Sequence, residues 1–212
     1  MTLRVNEIFF SIQGEGSRAG MPSIFVRLQG CSAKHACYAS GVNCDTEFES
    51  GVEKSLEWIL EWAKNNGNGC RFLVFTGGEP CDQLTDEIID YFKKEGFAQS
   101  VETSGLKPAP KGLALLSISP KVAEHILEKN FPEYKKGAVK SVTLAPLELR
   151  YVRHSGQLAV PEPSLEANFY YLSPHFDGLN PNDSNIKHCI RLCEENPRWS
   201  LSVQTHKLYN VL

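Results

Sequence analysis

Three cysteines, Cys31, Cys37 and Cys44, follow the apolar run Ile24 to Leu28, and Thr76-Gly77-Gly78-Glu79-Pro80 closes the next such run, Phe72 to Phe75. Three thiolates in one loop can hold three irons of a four-iron, four-sulfur cluster and leave the fourth iron open to a further ligand. The same thiolates with His35 as a fourth donor would suit a zinc ion. The glycine turn bears on that choice. Without side chains, Gly77 and Gly78 let a strand end approach the amino-acid moiety of a small molecule closely, and Glu79 can accept from its ammonium group.

The elements that must position these groups read as α/β. Short β-rich runs recur at Ile24 to Leu28, Phe72 to Phe75, Gln99 to Glu102, Leu113 to Ser117, Leu149 to Val152, Phe169 to Leu172 and Ser200 to Val203. Several are too apolar for a sheet with one wet face, which predicts parallel pairing. Amphipathic helices are predicted between some of them. Val52, Leu56, Ile59, Leu60 and Ala63 mark one face before Gly67, and Leu84, Ile88, Tyr91 and Phe92 mark another before Gly96. A third carries Ile186, Ile190 and Cys193 behind an Asp183-Ser184 cap. The stretches Leu106 to Gly112 and His154 to Ala167, rich in Gly and Pro, read as loops, so not every strand has its helix. The expectation is an incomplete TIM-type barrel of mostly parallel strands with few helices, one domain over residues 1–212. Polar groups end nearly every strand, and in a parallel barrel those ends share the face where active sites form.

Composition narrows the partners. A net charge of -3 argues against capture of nucleic acid, which needs clustered positive charge. No apolar run reaches the roughly 18 residues of a membrane span, and the first residues lead into a strand rather than a signal peptide. Seven cysteines without secretory context weigh toward metal or cluster ligation rather than a disulfide framework. A cytoplasmic protein acting on a small molecule is expected.

With these motifs together, the chain resembles the 7-carboxy-7-deazaguanine synthases, small members of the radical S-adenosylmethionine superfamily. The resemblance runs through Asn6-Glu7-Ile8-Phe9, Ser11-Ile12-Gln13-Gly14-Glu15-Gly16, Ile24-Phe25-Val26-Arg27, Cys44-Asp45-Thr46, Thr76 to Pro80, Glu102 to Gly105, Ser119-Pro120-Lys121 and Gln204 to Lys207. It implies ring contraction of 6-carboxy-5,6,7,8-tetrahydropterin to 7-carboxy-7-deazaguanine with loss of ammonia, on the route to 7-deazapurines such as queuosine. It also implies an iron–sulfur cluster on Cys31, Cys37 and Cys44, and Mg2+ on Thr46. Cofactor contacts carry over to Asn43, Asp45, Gly78, Glu79, Ser119 and Lys121. Substrate contacts carry over to Ile12, Gln13, Gly14, Glu15, Arg27, Thr76, His206 and the terminal Leu212. A homodimer and a flavodoxin-like electron donor are further implications.

Two departures from the family pattern stand out. The usual Cys-x3-Cys-x2-Cys becomes Cys31-x5-Cys37-x6-Cys44, and Ser173 precedes Pro174 where many relatives carry glutamine. Cys37, between the other two, is the expected middle ligand. Cys70, Cys81, Cys189 and Cys193 are expected to pack, and His125, His154, His175 and His188 to be structural or exposed. The alternative functions are a radical activase acting on a protein partner and a zinc-stabilised binding module without turnover.

Overall fold

The computed structural model describes residues 1–39, 44, 46–139, 141–178 and 180–209. Nine strands join in one sheet: β1 (Thr2–Ile12), β2 (Pro22–Leu28), β3 (Val52–Ser55), β4 (Phe72–Gly77), β5 (Ala98–Thr103), β6 (Leu115–Ile118), β7 (Leu147–Arg153), β8 (Phe169–Pro174) and β9 (Ser200–Leu201). Their order is β3-β1-β2-β4-β5-β6-β7-β8-β9. Every neighbouring pair from β2 to β9 is parallel, and β1 runs antiparallel to both β2 and β3. Among the described residues β3 and β9 do not pair, so the sheet is the incomplete barrel that the sequence predicts.

Loops bridge the open side. The Gly16 N–H donates to Ser202 Oγ at 3.0 Å, and Thr205 gives both its N–H and its hydroxyl to the Gly14 carbonyl, at 3.2 and 2.9 Å. The segment after β1 is thereby tied to the segment after β9.

The helices are α1 (Lys34–Ala39), α2 (Leu56–Asn66), α3 (Asp86–Lys94), α4 (Glu124–Asn130), α5 (Asp183–Glu195) and α6 (Thr205–Tyr209). None is long and apolar enough to cross a membrane among the described residues. Ser55 caps α2 by accepting from the Trp58 N–H, and Leu56, Ile59, Leu60 and Ala63 form its buried face. Val52, expected on that face, instead belongs to β3, where it pairs with Val5. The cap at Ser55 starts the helix too late to include it, and pairing with β1 takes up the backbone before it.

The α5 stripe also differs from its expectation. Its buried residues are Asn185, His188, Cys189 and Leu192, whereas Ile190 is exposed, and the cap is Asn182. Polar bonds set this rotation. Asn185 donates to the His175 carbonyl and accepts from the Ser155 N–H, both at 2.9 Å, and His188 Nε2 lies 2.9 Å from the Gln157 carbonyl. His188 is structural, as expected.

The strands divide by alternation into two faces. Leu73 and Phe75 of β4, Leu116 and Ile118 of β6, Leu147 and Leu149 of β7, and Leu172 of β8 are fully or almost fully buried in one hydrophobic core. Phe75 meets Phe92 of α3 with ring centroids 5.8 Å apart, and Trp199 packs edge-on against both Tyr151 and Tyr170. The opposite set is polar: Arg27 on β2, Thr76 on β4, Glu102 on β5, Ser117 on β6, Glu148 and Arg150 on β7, and Ser173 on β8. In register, Arg27 lies beside Thr76, and Ser117 lies between Glu102 and Glu148. An apolar outer face thus holds a polar lumen in place.

Phe75 has no exposed surface at this strand–helix junction. Phe75→Ala is expected to lower unfolding stability by about 3–5 kcal/mol, read from urea denaturation with an unchanged m-value.

Candidate active site

Cys31 lies just beyond β2, at the root of the thiol loop, and this root is bolted to the glycine turn after β4. The Gly78 N–H donates to the Leu28 carbonyl at 3.1 Å, and the Glu79 N–H donates to the Gly30 carbonyl at 2.9 Å. A Cβ on Gly78 would fall 1.8 Å from the Gly30 carbonyl oxygen, so only glycine admits this approach. Ser32 adds bonds from its N–H and hydroxyl to the two Asp82 carboxylate oxygens, at 2.9 and 2.6 Å. Gly78 therefore serves the approach of two protein backbones as well as facing the cavity beyond.

Cys37 sits on α1, and Cys31, Cys37 and Cys44 line one cavity of about 540 Å³. Burial, reinforced by Glu79 and the other two cysteines, pushes the Cys31 thiol up to about 11. Burial raises Cys37 as well, against the nearby Lys121 ammonium, which burial pushes down. A metal takes cysteines as thiolates, so its binding at such a site releases protons. Among the described residues no three metal-binding side chains converge as a finished cage. The donor set nevertheless suits an iron–sulfur cluster by type, three soft sulfurs around one cavity. His35, the fourth ligand of the zinc alternative, is exposed and does not line that cavity.

A second cavity of about 530 Å³ adjoins the first, lined by Gln13, Glu15, Arg27, Thr76, Glu102 and His206 among others. Glu15, Thr76, Glu102, Gln204 and Lys207 line both cavities. Between them lies a buried charge cluster. Arg150 Nη2 is 2.9 Å from Glu102 Oε1, Nη1 is 3.4 Å from Glu15 Oε2, and Nε is 3.5 Å from Glu148 Oε1. Thr76 Oγ1 donates to Glu102 at 2.8 Å, and Gln13 Nε2 donates to it at 3.1 Å. Burial alone would raise the Glu102 carboxyl, but the Arg150 charge and the hydrogen bonds from Thr76, Arg150 and Gln13 outweigh it, and its pKa ends below the usual carboxylate range.

Most residues singled out from the sequence come together here. Ile12, Gln13, Gly14, Glu15, Arg27, Thr46, Thr76 and His206 line the second cavity, and Gly78, Ser119 and Lys121 line the first with the three thiols. Gly14 touches His206 so closely that a Cβ would lie 2.0 Å from Nδ1. Arg27 Nε donates to Glu7 at 2.5 Å, and among the described residues its terminal amino groups have no hydrogen-bond partner. Asn43, Asp45 and Leu212 lie outside the described residues.

Glu79 stands apart from its expected role. It has no exposed surface and does not line the cavity, and both its oxygens are taken. Thr103 Oγ1 donates at 2.6 Å, the Cys81 N–H at 3.1 Å, the Ser104 N–H at 2.9 Å and the Ser104 hydroxyl closer still. Its carboxylate ties the end of β4 to the end of β5.

Glu102, Glu148, Arg150, Gln204 and His175 are absent from the site residues predicted on sequence. The signal for the β7 pair is the alternation Leu147-Glu148-Leu149-Arg150, charge at every second residue of an apolar strand. His175, expected to be structural or exposed, lines the thiol cavity beside Ser173, whose hydroxyl donates to Glu15 Oε1 at 3.3 Å. Of the remaining cysteines, Cys189 is in the core, and Cys70, Cys81 and Cys193 pack against it, as expected.

Fold and site together define an open-barrel α/β protein with three cysteines around one cavity at its strand ends. No protein-family profile matches the chain. It is 34% identical to a 7-carboxy-7-deazaguanine synthase of Bradyrhizobium diazoefficiens, with 98% of each chain covered. It is 35% identical to one of Neisseria meningitidis, covering 96% of this chain and 92% of that one. The crystal structure of QueE from Escherichia coli superposes with a TM-score of 0.65 at 26% identity, covering 96% of this chain and 94% of that one. The chain belongs to the 7-carboxy-7-deazaguanine synthase family of radical S-adenosylmethionine lyases.

Glu79→Gln replaces one acceptor oxygen with an N–H2 group facing donors it cannot satisfy. A stability loss of about 1–3 kcal/mol is expected in chemical denaturation.

Proposed function

We propose that this protein converts 6-carboxy-5,6,7,8-tetrahydropterin to 7-carboxy-7-deazaguanine with release of ammonia, in queuosine-type 7-deazapurine biosynthesis, acting as a single domain over residues 1–212. One observation carries the reading: the thiol cavity and the acceptor-lined cavity share Glu15, Thr76, Glu102, Gln204 and Lys207 as common lining. Molecules held in the two cavities would touch across that line. The names and full-length coverage of the relatives support the same product.

The polarity of the second cavity suits a carboxylated pterin. Thr76 spends its hydroxyl proton on Glu102, so its oxygen faces the cavity as an acceptor. Gln13 gives its amino group to Glu102 and accepts from the Glu15 N–H with its oxygen at 3.1 Å, which settles its orientation. With the Glu15 carboxylate, these groups make an acceptor-rich wall for the N–H-rich edge of a pterin. Arg27 offers its terminal amino groups to the substrate carboxylate. Ile12, Gly14, His206 and the terminal Leu212 complete the substrate contacts.

In this reading Cys31, Cys37 and Cys44 hold the cluster. Gly78, Ser119 and Lys121, with Asn43 and Asp45, hold S-adenosylmethionine. The Thr46 hydroxyl suits Mg2+, a hard cation that takes oxygen ligands and keeps waters. When bound, the cluster and S-adenosylmethionine supply the radical that takes a hydrogen atom from the substrate. The chain's own residues bind the pterin, orient it toward that radical and present fixed acceptors to its N–H groups. A cytoplasmic homodimer reduced by a flavodoxin-like donor is part of the proposal.

Anaerobic turnover of the carboxytetrahydropterin with S-adenosylmethionine, Mg2+ and a reductant tests the reading. Product is expected from wild-type protein carrying about one four-iron cluster per chain, and Cys37→Ala is expected to lose both iron and turnover. No product from cluster-replete wild type overturns the substrate, and full iron in Cys37→Ala overturns that ligand.

A further inference from the structure

We propose that Arg150 is a positioning residue, the guanidinium that holds Glu15 and Glu102 as a pair of anionic acceptors on the wall common to the two cavities. This inference rests on the reading of those cavities given above and assigns a role to a residue that itself need not touch the pterin.

The geometry is that of a hub. Arg150 is 6% exposed and projects from β7 into the lumen, and each of its three nitrogens faces a different carboxylate. Nη2 takes Glu102 on β5, Nη1 takes Glu15 on the loop after β1, and Nε faces Glu148 two residues back on its own strand. Nε makes no aligned hydrogen bond, so its link to Glu148 is electrostatic. Glu148 is engaged elsewhere: Ser117 of β6 donates to one oxygen at 2.8 Å, and the N–H and hydroxyl of Ser17 donate to the other at 2.9 and 2.8 Å. Glu148 therefore anchors the loop that carries Glu15, and Arg150 anchors Glu15 itself.

Charge explains why the hub must be an arginine. Two half-buried carboxylates on one wall disfavour each other's ionisation, and a cation between them offsets that repulsion. The charged groups around Glu102 are Arg150 and, through it, Glu15 and Glu148. The next cation, Lys121, lies toward the thiols, where it interacts with Cys37, Glu15 and Arg150. Among the described residues Arg150 is the cation that pairs with both the Glu102 and the Glu15 carboxylate. Its planar fork aims two nitrogens in fixed directions at Glu102 and Glu15, whereas a lysine ammonium is a point charge on a flexible stem with no such fixed directions. Because Glu102 is held as an anion, Thr76 and Gln13 must aim their protons at it. Arg150 thus sets the polarity of the ligand wall two bonds away.

The test compares Arg150→Lys and Arg150→Met with wild type as anaerobically reconstituted, full-length holoenzyme. The readouts are infrared difference spectra of the ligand-free protein and fluorescence titration with 6-carboxypterin, an unreduced and unreactive probe. Wild type is expected to show no protonated-carboxyl band at neutral pH. Arg150→Met is expected to show one, and adding Glu102→Gln or Glu15→Gln to it is expected to diminish that band. Arg150→Lys is expected to keep the carboxylates ionised and its iron content, yet bind the pterin about tenfold more weakly. Should Arg150→Met fail to fold, Arg150→Lys decides alone. Pterin affinity in Arg150→Lys within about twofold of wild type, or no protonated carboxyl in folded Arg150→Met, overturns the role. The infrared readout needs no substrate, so its result stands apart from whether wild type turns over the proposed pterin.

Discussion

A nearly buried guanidinium with three carboxylates around it is the interaction on which the lumen of this barrel depends. Arg150 joins β7 to β5 through Glu102 and to the loop after β1 through Glu15, and its neighbour Glu148 joins the same loop to β6. Removing one partner from a buried, hydrogen-bonded ion pair costs about 3–5 kcal/mol, because the charge left behind has neither water nor counterion. The cluster adds less to net stability than its contacts suggest, since desolvating four charges consumes much of the gain. What it supplies is geometry. It draws a loop from the open side of the sheet across to strands on the far side, and an incomplete barrel thereby acquires a defined interior.

The thiol loop follows a different logic. Its root is rigid because Gly78 and Gly30 approach backbone to backbone and Asp82 holds Ser32 with both oxygens. Beyond that root Cys37 rides on a short helix and Cys44 is exposed. Glu79 completes the rigid part. Buried and fully hydrogen-bonded, it locks the turn after β4 to the end of β5, so the strand ends that face the cavity cannot shift independently.

These two devices meet at the shared wall. On one side lie Cys31 and Cys37, whose thiols burial pushes up, Cys31 to about 11. On the other lie carboxylates that Arg150 and neighbouring donors keep ionised. The barrel holds a cysteine-lined cavity and an acceptor-lined cavity within one lumen by drawing their residues from different strands. The largely apolar outer face makes this possible: the main core lies outside the sheet, so the lumen has room for polar groups.

The parallel α/β architecture, the incomplete barrel and the three-thiol loop were legible in the residue pattern, because doubly buried strands, Gly- and Pro-rich connections and cysteine spacing are local signals. That many of the motif residues line the two cavities follows from the same pattern, since the motifs end strands and parallel strands bring their ends together. Rotation about α5 was not, because the bonds of Asn185 and His188 to distant loops override its hydrophobic stripe. Nor was the part played by Glu79, whose partners come from a strand more than twenty residues later. Alternating charge along β7 was visible in the chain, but alternation says only that Glu148 and Arg150 share a face. That this face meets Glu102 and Glu15 was decided by sheet order and by the return of the loop after β1, for an ion pair between distant residues forms only where the fold has already brought them within a few ångströms and excluded water.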